Sequence, residues 1–186
     1  ASAARAEAEG GVITDVCQRW RGRRASYRPA GEVIDPRRYE VAPIDTDTEA
    51  RAFVVAHHYS ASYPAARVRV GLYRAGALVG VAVFSVPAQA KALDVLPCDR
   101  DEAVELGRLV LLDDVAGNGE SWFVAQAFAE LRRRGFAGVL SFSDPIERRA
   151  ADGALVKPGH RGVVYQALPR VATGCRPARD ALGRPP

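Results

Sequence analysis

The hydrophobic and polar residues of this chain are most regularly arranged between Ala103 and Asp144. An apolar run over Val104–Leu112 predicts a buried strand, and a glycine-bearing turn follows it. Apolar residues then recur at helical spacing over Glu120–Arg134, which predicts a helix with one buried face. A second apolar run, Ala137–Phe142, predicts another strand. Because a helix connects them, the two strands are expected to lie parallel.

Three other segments also have a clear period. They predict a helix from Thr46 to His58, two antiparallel strands over 67–74 and 78–86, and a last strand over 161–168. Thr46 and Glu49 have the spacing of a capping box, and Ala75 and Gly76 form the turn between the paired strands. Gly80 within a strand indicates a bulge or a close backbone approach. This order of elements predicts an α/β fold with a mixed sheet and helices on both faces.

The rest of the pattern divides the chain into three parts. Residues 1–44 lack a long period and predict an irregular basic arm with room for one short hairpin. Residues 45–168 form the predicted α/β domain, and residues 169–186 form a tail rich in proline and arginine. No apolar run is long enough to span a membrane, and the first residues lack the apolar core of a signal peptide. These features predict a cytoplasmic protein.

Composition adds a basic segment to this outline. The 186 residues are 48% hydrophobic, which is enough for a substantial core, and the net charge is +4. Residues 19–38 carry seven arginines against two acidic residues, with aromatic residues among them. Arginines neutralise phosphates and aromatic rings stack on bases, so this segment is a candidate DNA contact. A solvated basic face is the simpler interpretation. The candidate residues are Arg19, Arg21, Arg23, Arg24 and Arg28.

The turn before the central helix is a candidate anion site. Gly117 and Gly119 give a flexible backbone, and free amides at a helix N-terminus attract negative charge. Asn118 and Ser121 can each cap the helix. The four candidate residues are Asn118, Gly119, Glu120 and Ser121. An ordinary tight turn explains the same pattern.

Two polar clusters stand where elements end. His57, His58, Tyr59 and Ser60 lie at the end of the first helix, which suits proton transfer or ligand binding as well as simple capping. Asp144 follows a buried parallel strand, the position where open α/β sheets place ligand-binding residues. An Asx turn before Pro145 is the alternative for this aspartate.

Five of these motifs occur together and carry a family resemblance. They are HYS at 58–60, ELGRLVLLDD at 105–114, NGES at 118–121, SFSD at 141–144 and VVYQA at 163–167. In this order they resemble the Mom family of phage DNA-modification proteins. The order of elements also resembles the GNAT acyltransferase fold, in which the strand-turn-helix binds the pyrophosphate of acyl-coenzyme A. The turn VAGNGES departs from the usual Arg/Gln-x-x-Gly-x-Gly/Ala pattern of that superfamily.

The resemblance implies modification of adenine in double-stranded DNA. The product would be N6-carbamoylmethyl (acetamido) adenine, which protects phage DNA from restriction enzymes. The family's important positions fall on His58, Tyr59, Arg108, Ser121, Asp144 and Tyr165. The donor is left open between acetyl-coenzyme A, another acyl carrier and an aminoacyl-tRNA. Iron has been associated with the family, and His57, His58, Asp144 and His160 could supply ligands only where the fold brings them together.

Chemistry suggests a role for several of these residues, and it leaves alternatives for the role of Arg108 and for the function of the chain. Asp144 could accept a proton from the adenine amine, with a Tyr or His as the paired acid. Arg108 could hold an anionic part of the donor or a DNA phosphate, or form a structural salt bridge with Asp113 or Glu105. A conventional GNAT acetyltransferase acting on a protein or small-molecule amine is the main alternative function. A non-catalytic nucleic-acid-binding module is the third.

Overall fold

The computed structural model describes residues 16–29, 31–157, 159 and 162–166. The strands are β1 (Val16–Arg21), β2 (Arg24–Pro29), β3 (Tyr39–Pro43), β4 (Ala66–Arg74), β5 (Ala77–Ser85), β6 (Ala103–Leu111), β7 (Gly138–Leu140), β8 (Arg148–Arg149) and β9 (Leu155–Lys157). The helices are α1 (Asp47–His57), α2 (Gly119–Arg133) and α3 (Val163–Gln166). Short 3-10 turns occupy Pro36–Arg38, Ala90–Val95 and Arg100–Glu102.

The central sheet has five strands in the order β3-β4-β5-β6-β7. All neighbours are antiparallel except β6 and β7, which are parallel and joined by α2. The predicted strand-helix-strand unit and the mixed α/β fold are therefore confirmed. Strands β1 and β2 form a separate hairpin, and so do β8 and β9.

The predicted basic arm is more ordered than its sequence indicates. Residues 16–29 form a hairpin, and β3 is the edge strand of the central sheet, so the boundary expected at residue 44 lies just past a strand of the main body. Strand β3 is not evident from local sequence, because it is stabilised by pairing with β4, which follows α1 in the chain. Residues 1–15 of the arm and the tail at 169–186 lie outside the described residues.

Each face of the central sheet packs against one long helix, as predicted. On one face, Phe123 and Leu131 of α2 pack with Phe84 of β5. On the other face, Val54 of α1 packs with Val83 of the same strand. These side chains are all at most 1% exposed, so the sheet is buried between two apolar layers.

Two predicted turn features are confirmed and one is wrong. Ala75 and Gly76 both have positive φ, which matches the two-residue turn that twisted hairpins prefer. A Cβ on Gly80 would stand 3.3 Å from the carbonyl oxygen of Val110, so the close backbone approach is present. The capping box is not, because the Thr46 side chain makes no cap hydrogen bond.

Within the described residues 162–166, the last strand, which was predicted over 161–168, is also wrong. Residues Val163–Gln166 form the short helix α3, with the amide of Tyr165 donating to the carbonyl of Gly162 at 2.9 Å. The Tyr165 ring packs against the core cluster of α2. A short apolar run fits a strand or a helical turn equally well, and here tertiary packing decides between them.

Strands β6 and β7 stay together for only three residues each. Their pairing ends at Glu105 and Leu140, while β6 continues to Leu111. The register of β6 against β5 shifts between Arg108 and Leu106, which leaves Gly107 as a bulge. The chain after β7 therefore leaves the sheet close to an irregular part of β6, where polar residues of several motifs gather.

None of the helices in the described part of the chain is both long and apolar enough to cross a membrane.

Candidate functional site

Asp144 is half-buried in the loop that follows β7. Its Oδ1 accepts a hydrogen bond from the amide of Ile146 at 3.2 Å, so the Asx turn is present. Its Oδ2 lies 2.6 Å from Nζ of Lys157 and 3.3 Å from a guanidinium nitrogen of Arg148. The hydrogen bond from Lys157 is the main cause that holds the pKa of Asp144 below its usual value. Asp144 is thus an ionised carboxylate with a fixed orientation.

Lys157 is a residue of this site that the sequence motifs do not include. Its side chain is only 1% exposed, although it carries a charge. Besides the Asp144 carboxylate, its ammonium group donates to the carbonyl oxygens of Asp144 and Ile146, at 3.2 and 3.0 Å. One signal could have drawn attention to it, because it is one of two lysines in a chain whose other basic residues are all arginines.

The end of α1 brings His58, Tyr59 and Ser60 to the same region. The amide of His58 donates to the carbonyl of Val54 and caps the helix, so the capping interpretation holds for the backbone. The buried His58 ring places Nδ1 2.8 Å from Oγ of Ser60 and accepts the amide of Ser60 at 3.2 Å. Because Nδ1 accepts from an amide, the neutral ring carries its proton on Nε2.

Tyr59 connects this helix end to Asp144. Its ring lies 4.8 Å from the ring of Trp20 and 4.3 Å from the ring of His58, and Nζ of Lys157 stands 5.5 Å from its centre. Burial raises the pKa of Tyr59, the charge of Asp144 raises it further, and the charges of Arg108 and Arg148 oppose this. Lys157 therefore lies beside both Tyr59 and Asp144, and the charges of Asp144 and Arg108 both act on Tyr59, although these residues come from separate motifs.

Arg108 extends from the bulged part of β6 to the loop after α1. Its Nε donates to the carbonyl of Ser62 at 3.0 Å and its Nη2 to the Ser62 hydroxyl at 2.6 Å. It forms no salt bridge with Asp113 or Glu105, so the structural alternative for Arg108 is wrong. Asp113 instead pairs with Arg21 at 3.2 Å. Burial raises the pKa of the nearby Glu105 carboxyl, and the charge of Arg108 lowers it.

Tyr165 also lies at this edge of the molecule. Burial raises the pKa of its phenol, the Ser141 hydroxyl beside it lowers that pKa, and the charges of Glu120 and Tyr59 raise it. A Cβ on Gly162 would stand 2.9 Å from the Tyr165 ring and 3.3 Å from Cβ of Ser143. The SFSD motif and the VVYQA motif are thus neighbours, with Tyr165 largely enclosed.

The glycine turn before α2 is covered by the protein itself. The amide of Gly117 donates to a carboxylate oxygen of Glu32 at 3.0 Å. Arg28 binds the same carboxylate at 2.6 and 2.5 Å. A Cβ on Gly117 would overlap the carbonyl oxygen of Pro29, so backbone lies directly on the turn. The anion at this turn is therefore the side chain of Glu32.

The four predicted donor-binding residues of the turn are used internally. The Asn118 side-chain oxygen accepts from the amide of Ile34 at 2.7 Å and does not cap α2. The Ser121 hydroxyl donates to the carbonyl of Asn118 at 3.1 Å. Gly119 is buried, and Glu120 forms a 2.9 Å ion pair with Arg19. The sequence could not indicate this, because the covering residues come from the first 34 positions of the chain.

The five predicted DNA-binding arginines separate into two groups. Arg19 is 0% exposed, and its guanidinium donates to the carbonyls of Ala116 and Gly117, each at 2.8 Å. Its assignment as a DNA contact is wrong, because a side chain enclosed in this way is not accessible to a phosphate. Arg28 is held by Glu32 and by the carbonyl of Asp113.

The remaining three arginines lie at the exposed tip of the β1-β2 hairpin. They are Arg21, Arg23 and Arg24. This tip is attached to the end of α1, because the amide of Gly22 donates to Nδ1 of His57 at 3.2 Å and the amide of Arg23 donates to the His57 carbonyl at 2.9 Å. The exposed basic tip therefore adjoins the helix end that carries His58 and Tyr59.

Three of the four iron ligands that the resemblance suggests, His57, His58 and Asp144, belong to the described residues. No three His, Cys, Asp or Glu side chains among the described residues are grouped closely enough to hold a metal ion. His57 uses Nδ1 for the hairpin amide and packs on Phe53. Cys17 and Cys98 are free thiols. His160 lies outside the described residues.

Comparison with known proteins identifies the family to which the chain belongs. A model of the Mom protein family matches residues 38–169, which is more than two thirds of the chain. The chain belongs to the Mom family. No curated protein matches it. The Mom match contains Tyr59, Arg108, Asp144 and Lys157, whereas the β1-β2 hairpin and Glu32 precede it. Membership of the Mom family supports modification of adenine in phage DNA at the level of the family.

Proposed function

We propose that this protein transfers a carbamoylmethyl group to N6 of adenine in double-stranded DNA, on a GNAT-like framework. One observation carries the proposal beyond the family match. Asp144 and Tyr59 come from distant motifs, yet Nζ of Lys157 lies 2.6 Å from Asp144 and 5.5 Å from the centre of the Tyr59 ring, and Arg108 is bonded to Ser62 in the loop that follows Tyr59. An ionised carboxylate, a phenol and a guanidinium beside an apolar sheet are the groups that a transfer to a weak amine requires.

The reaction needs a base, because N6 of adenine is a poor nucleophile. Its lone pair is delocalised into the ring, and one N6 proton must leave as the bond to the donor carbon forms. Asp144 is held ionised by Lys157 and accepts that proton. The neutral phenol of Tyr59 donates a hydrogen bond to the leaving group of the donor, and His58 supports Tyr59 through ring contact at 4.3 Å.

DNA approaches from the side of the hairpin tip in this proposal. Arg21, Arg23 and Arg24 are exposed and adjoin the end of α1, so they can contact phosphates next to the site. The adenine amine is paired inside the duplex, and extrusion of the base costs on the order of a few kcal/mol. The extruded base would then lie beside Tyr59 and Asp144.

For the donor, we propose only the chemical classes from which it comes. Acetyl-coenzyme A, another acyl carrier and an aminoacyl-tRNA are the candidate classes, but attack of N6 on their activated carbonyl would give an N6-acyl adenine. The carbamoylmethyl product needs instead a bond from N6 to a methylene carbon, with loss of the leaving group from that carbon, and an amide nitrogen that the acetyl group of acetyl-coenzyme A lacks. A phosphate of the donor could reach the Gly117 amide only if Glu32 moved away, because its carboxylate occupies that position. Arg108, anchored on Ser62, is the guanidinium on the site side that could hold an anionic part of the donor.

The reaction is tested by mass analysis of nucleosides from plasmid DNA after expression in a bacterial host. Wild type should yield a deoxyadenosine heavier by an acetamido group, and Asp144→Asn should reduce it by about 100-fold or more. Asp152→Asn is the matched control, since this exposed aspartate lies in the nearby β8-β9 hairpin. Unmodified DNA from folded wild type, in a host shown to contain the donor, would favour a conventional acetyltransferase.

The DNA contact is tested with the triple variant Arg21→Gln, Arg23→Gln and Arg24→Gln. Loss of three phosphate contacts should weaken duplex binding and lower the slope of log K against log salt by about 3. The control variant replaces Arg37, Arg51 and Arg100 by Gln, which removes the same charge away from the hairpin tip. Equal effects of the two variants would show that net charge, and not the tip, binds DNA.

A further inference from the structure

The inference concerns the buried cation at the end of β9. Lys157 is 1% exposed, and a charged side chain is almost never this enclosed unless it is paired. A buried ammonium group costs several kcal/mol in lost hydration, so its contacts must compensate for that cost. All of its hydrogen bonds given above go to a single segment, the loop after β7.

The geometry of those contacts fixes one side chain. Nζ of Lys157 lies 2.6 Å from Oδ2 of Asp144 and donates to the carbonyls of Asp144 and Ile146. The amide of Ile146 binds the other carboxylate oxygen. One oxygen of Asp144 is therefore held from its own loop and the other from β9, which leaves the carboxylate little rotational freedom.

A second cation near the same carboxylate provides a comparison within the molecule. Arg148 approaches Oδ2 of Asp144 at 3.3 Å, but its side chain is 69% exposed. Exposed ion pairs contribute little to stability, because solvent screens them and long side chains lose entropy when they pair. Nζ of Lys157 is also 5.5 Å from the centre of the Tyr59 ring, so Lys157 lies beside both Asp144 and Tyr59.

We propose that Lys157 is the positioning residue of the active site, which fixes the orientation of the Asp144 carboxylate beside Tyr59 for proton transfer. The proposal rests on the proposed function, because it assigns Lys157 a role through Asp144. Lys157 does not contact the reacting atoms. It differs from a simple brace of the loop, since a brace needs only hydrogen bonds to carbonyls, whereas this role needs the positive charge.

The variants must separate the effect of Lys157 on Asp144 from the effects of the other groups around that carboxylate. Lys157 on β9 and Arg148 on β8 face the carboxylate directly, and Tyr59 faces it from the end of α1. Arg108 on β6 acts on Tyr59 from the other side. Lys157→Gln keeps a hydrogen-bond donor and loses the charge, Lys157→Arg keeps the charge, and Arg148→Gln is the matched control.

Two measurements are made on the full chain. The first is the modified fraction of deoxyadenosine in plasmid DNA. We expect Lys157→Gln to lower it by about 10-fold or more, since misplacing a catalytic group by about 1 Å costs on this order. Lys157→Arg should retain more than Lys157→Gln, and Arg148→Gln should stay within about twofold of wild type.

The second measurement is the NMR titration of the Asp144 carboxyl, identified by its absence in Asp144→Asn. Lys157 lowers the pKa of this carboxyl in the folded protein, so Lys157→Gln should raise that pKa more than Arg148→Gln does. A loop brace alone would leave the Lys157→Arg and Lys157→Gln titrations alike. This readout does not depend on DNA modification.

The outcomes separate the two proposals. Unchanged modification or an unchanged Asp144 titration in folded Lys157→Gln overturns the role of Lys157. A shifted titration in a protein whose wild type leaves DNA unmodified overturns the proposed function, and with it the catalytic part of this inference. If Lys157→Gln does not fold, Lys157→Met replaces it, because an apolar side chain of similar length avoids an unsatisfied buried donor, and the same criteria apply.

Discussion

Two regions of the molecule present polar groups beside the central sheet, and they use them in opposite ways. At the turn before α2, the polar groups bind one another: Arg19 pairs with Glu120 and Glu32 accepts the Gly117 amide. At the loop after β7, Asp144 is fixed by Lys157 but remains half-buried, with Tyr59 beside it. The first region is closed by the chain, whereas in the second the Asp144 side chain stays 33% exposed among the described residues.

The comparison shows that a favourable local motif does not determine a binding site. A glycine turn at a helix N-terminus attracts any anion, and a carboxylate of the same chain is the one at the highest effective concentration. Glu32 is such a carboxylate, and Arg28 holds it in place at 2.6 Å. Among the described residues, no such segment covers the Asp144 loop. The buried Lys157 binds the Asp144 carboxylate from the inside and leaves part of that carboxylate exposed.

The largest effect is expected for Arg19→Met, which removes the buried cation that closes the turn. Glu120 then keeps a poorly hydrated charge without its partner, and the carbonyls of Ala116 and Gly117 lose their donor. Breaking a buried pair in this way costs about 3–5 kcal/mol. Urea unfolding followed by circular dichroism measures the loss.

Arg21→Met is the control for this experiment. Arg21 is two residues away in the same strand and forms an ion pair with Asp113, but its side chain is 69% exposed. Its replacement should cost about 0–1 kcal/mol. Similar losses for the two variants would mean that Arg19 is not buried in solution and that the turn is open.

A smaller effect is expected for Gly117→Ala. The added Cβ would overlap the carbonyl oxygen of Pro29, so the segment covering the turn must shift. Overpacking of this kind costs about 1–3 kcal/mol, measured by the same unfolding experiment. Gly31→Ala is the control, because a Cβ there meets nothing within 4 Å, and its cost should stay within about 0.5 kcal/mol. A neutral Gly117→Ala would contradict the closed turn.

The parts of the fold that the sequence predicts correctly are those with local periodicity. The helical spacing of apolar residues locates α2, and the alternation on either side of Ala75 and Gly76 locates the β4-β5 hairpin. Both depend on residues that are neighbours in sequence or lie across one tight turn. The strand predicted over 161–168 failed because a short apolar run has no decisive period, and packing of Tyr165 made it helical.

The candidate site is predictable only in part, because its contacts are long-range. Motifs place Tyr59 and Asp144 at element ends, and element ends at one edge of a sheet meet. Nothing in the sequence distinguishes Arg19 from Arg21, although one is buried and the other exposed. Lys157 likewise reaches Asp144 only through the β8-β9 hairpin, whose two short strands carry too weak a pattern to be predicted.

The smallest effect concerns the loop that carries Tyr59 and Ser62. The Tyr63 hydroxyl donates to Oδ1 of Asp47 at 3.0 Å and ties this loop to the start of α1. Burial and the hydrogen bond to Asp47 raise the pKa of Tyr63 to about 12 from an ordinary value of 10.0. The folded state therefore favours the neutral phenol, and this stabilisation is present below pH 10 and is lost as the pH rises towards 12.

Tyr63→Phe should remove this contribution, which is about 1 kcal/mol for a partly exposed hydrogen bond. The free energy of unfolding should then fall less steeply between pH 10 and 12 than in wild type, and the tyrosinate absorbance titration should lose its last component. Tyr27→Phe is the control, because the Tyr27 ring is 55% exposed and its replacement should change stability by less than about 0.5 kcal/mol. If Tyr63→Phe keeps the wild-type pH dependence, Tyr63 does not anchor the loop, and the site beside Asp144 is less preorganised than the closed turn.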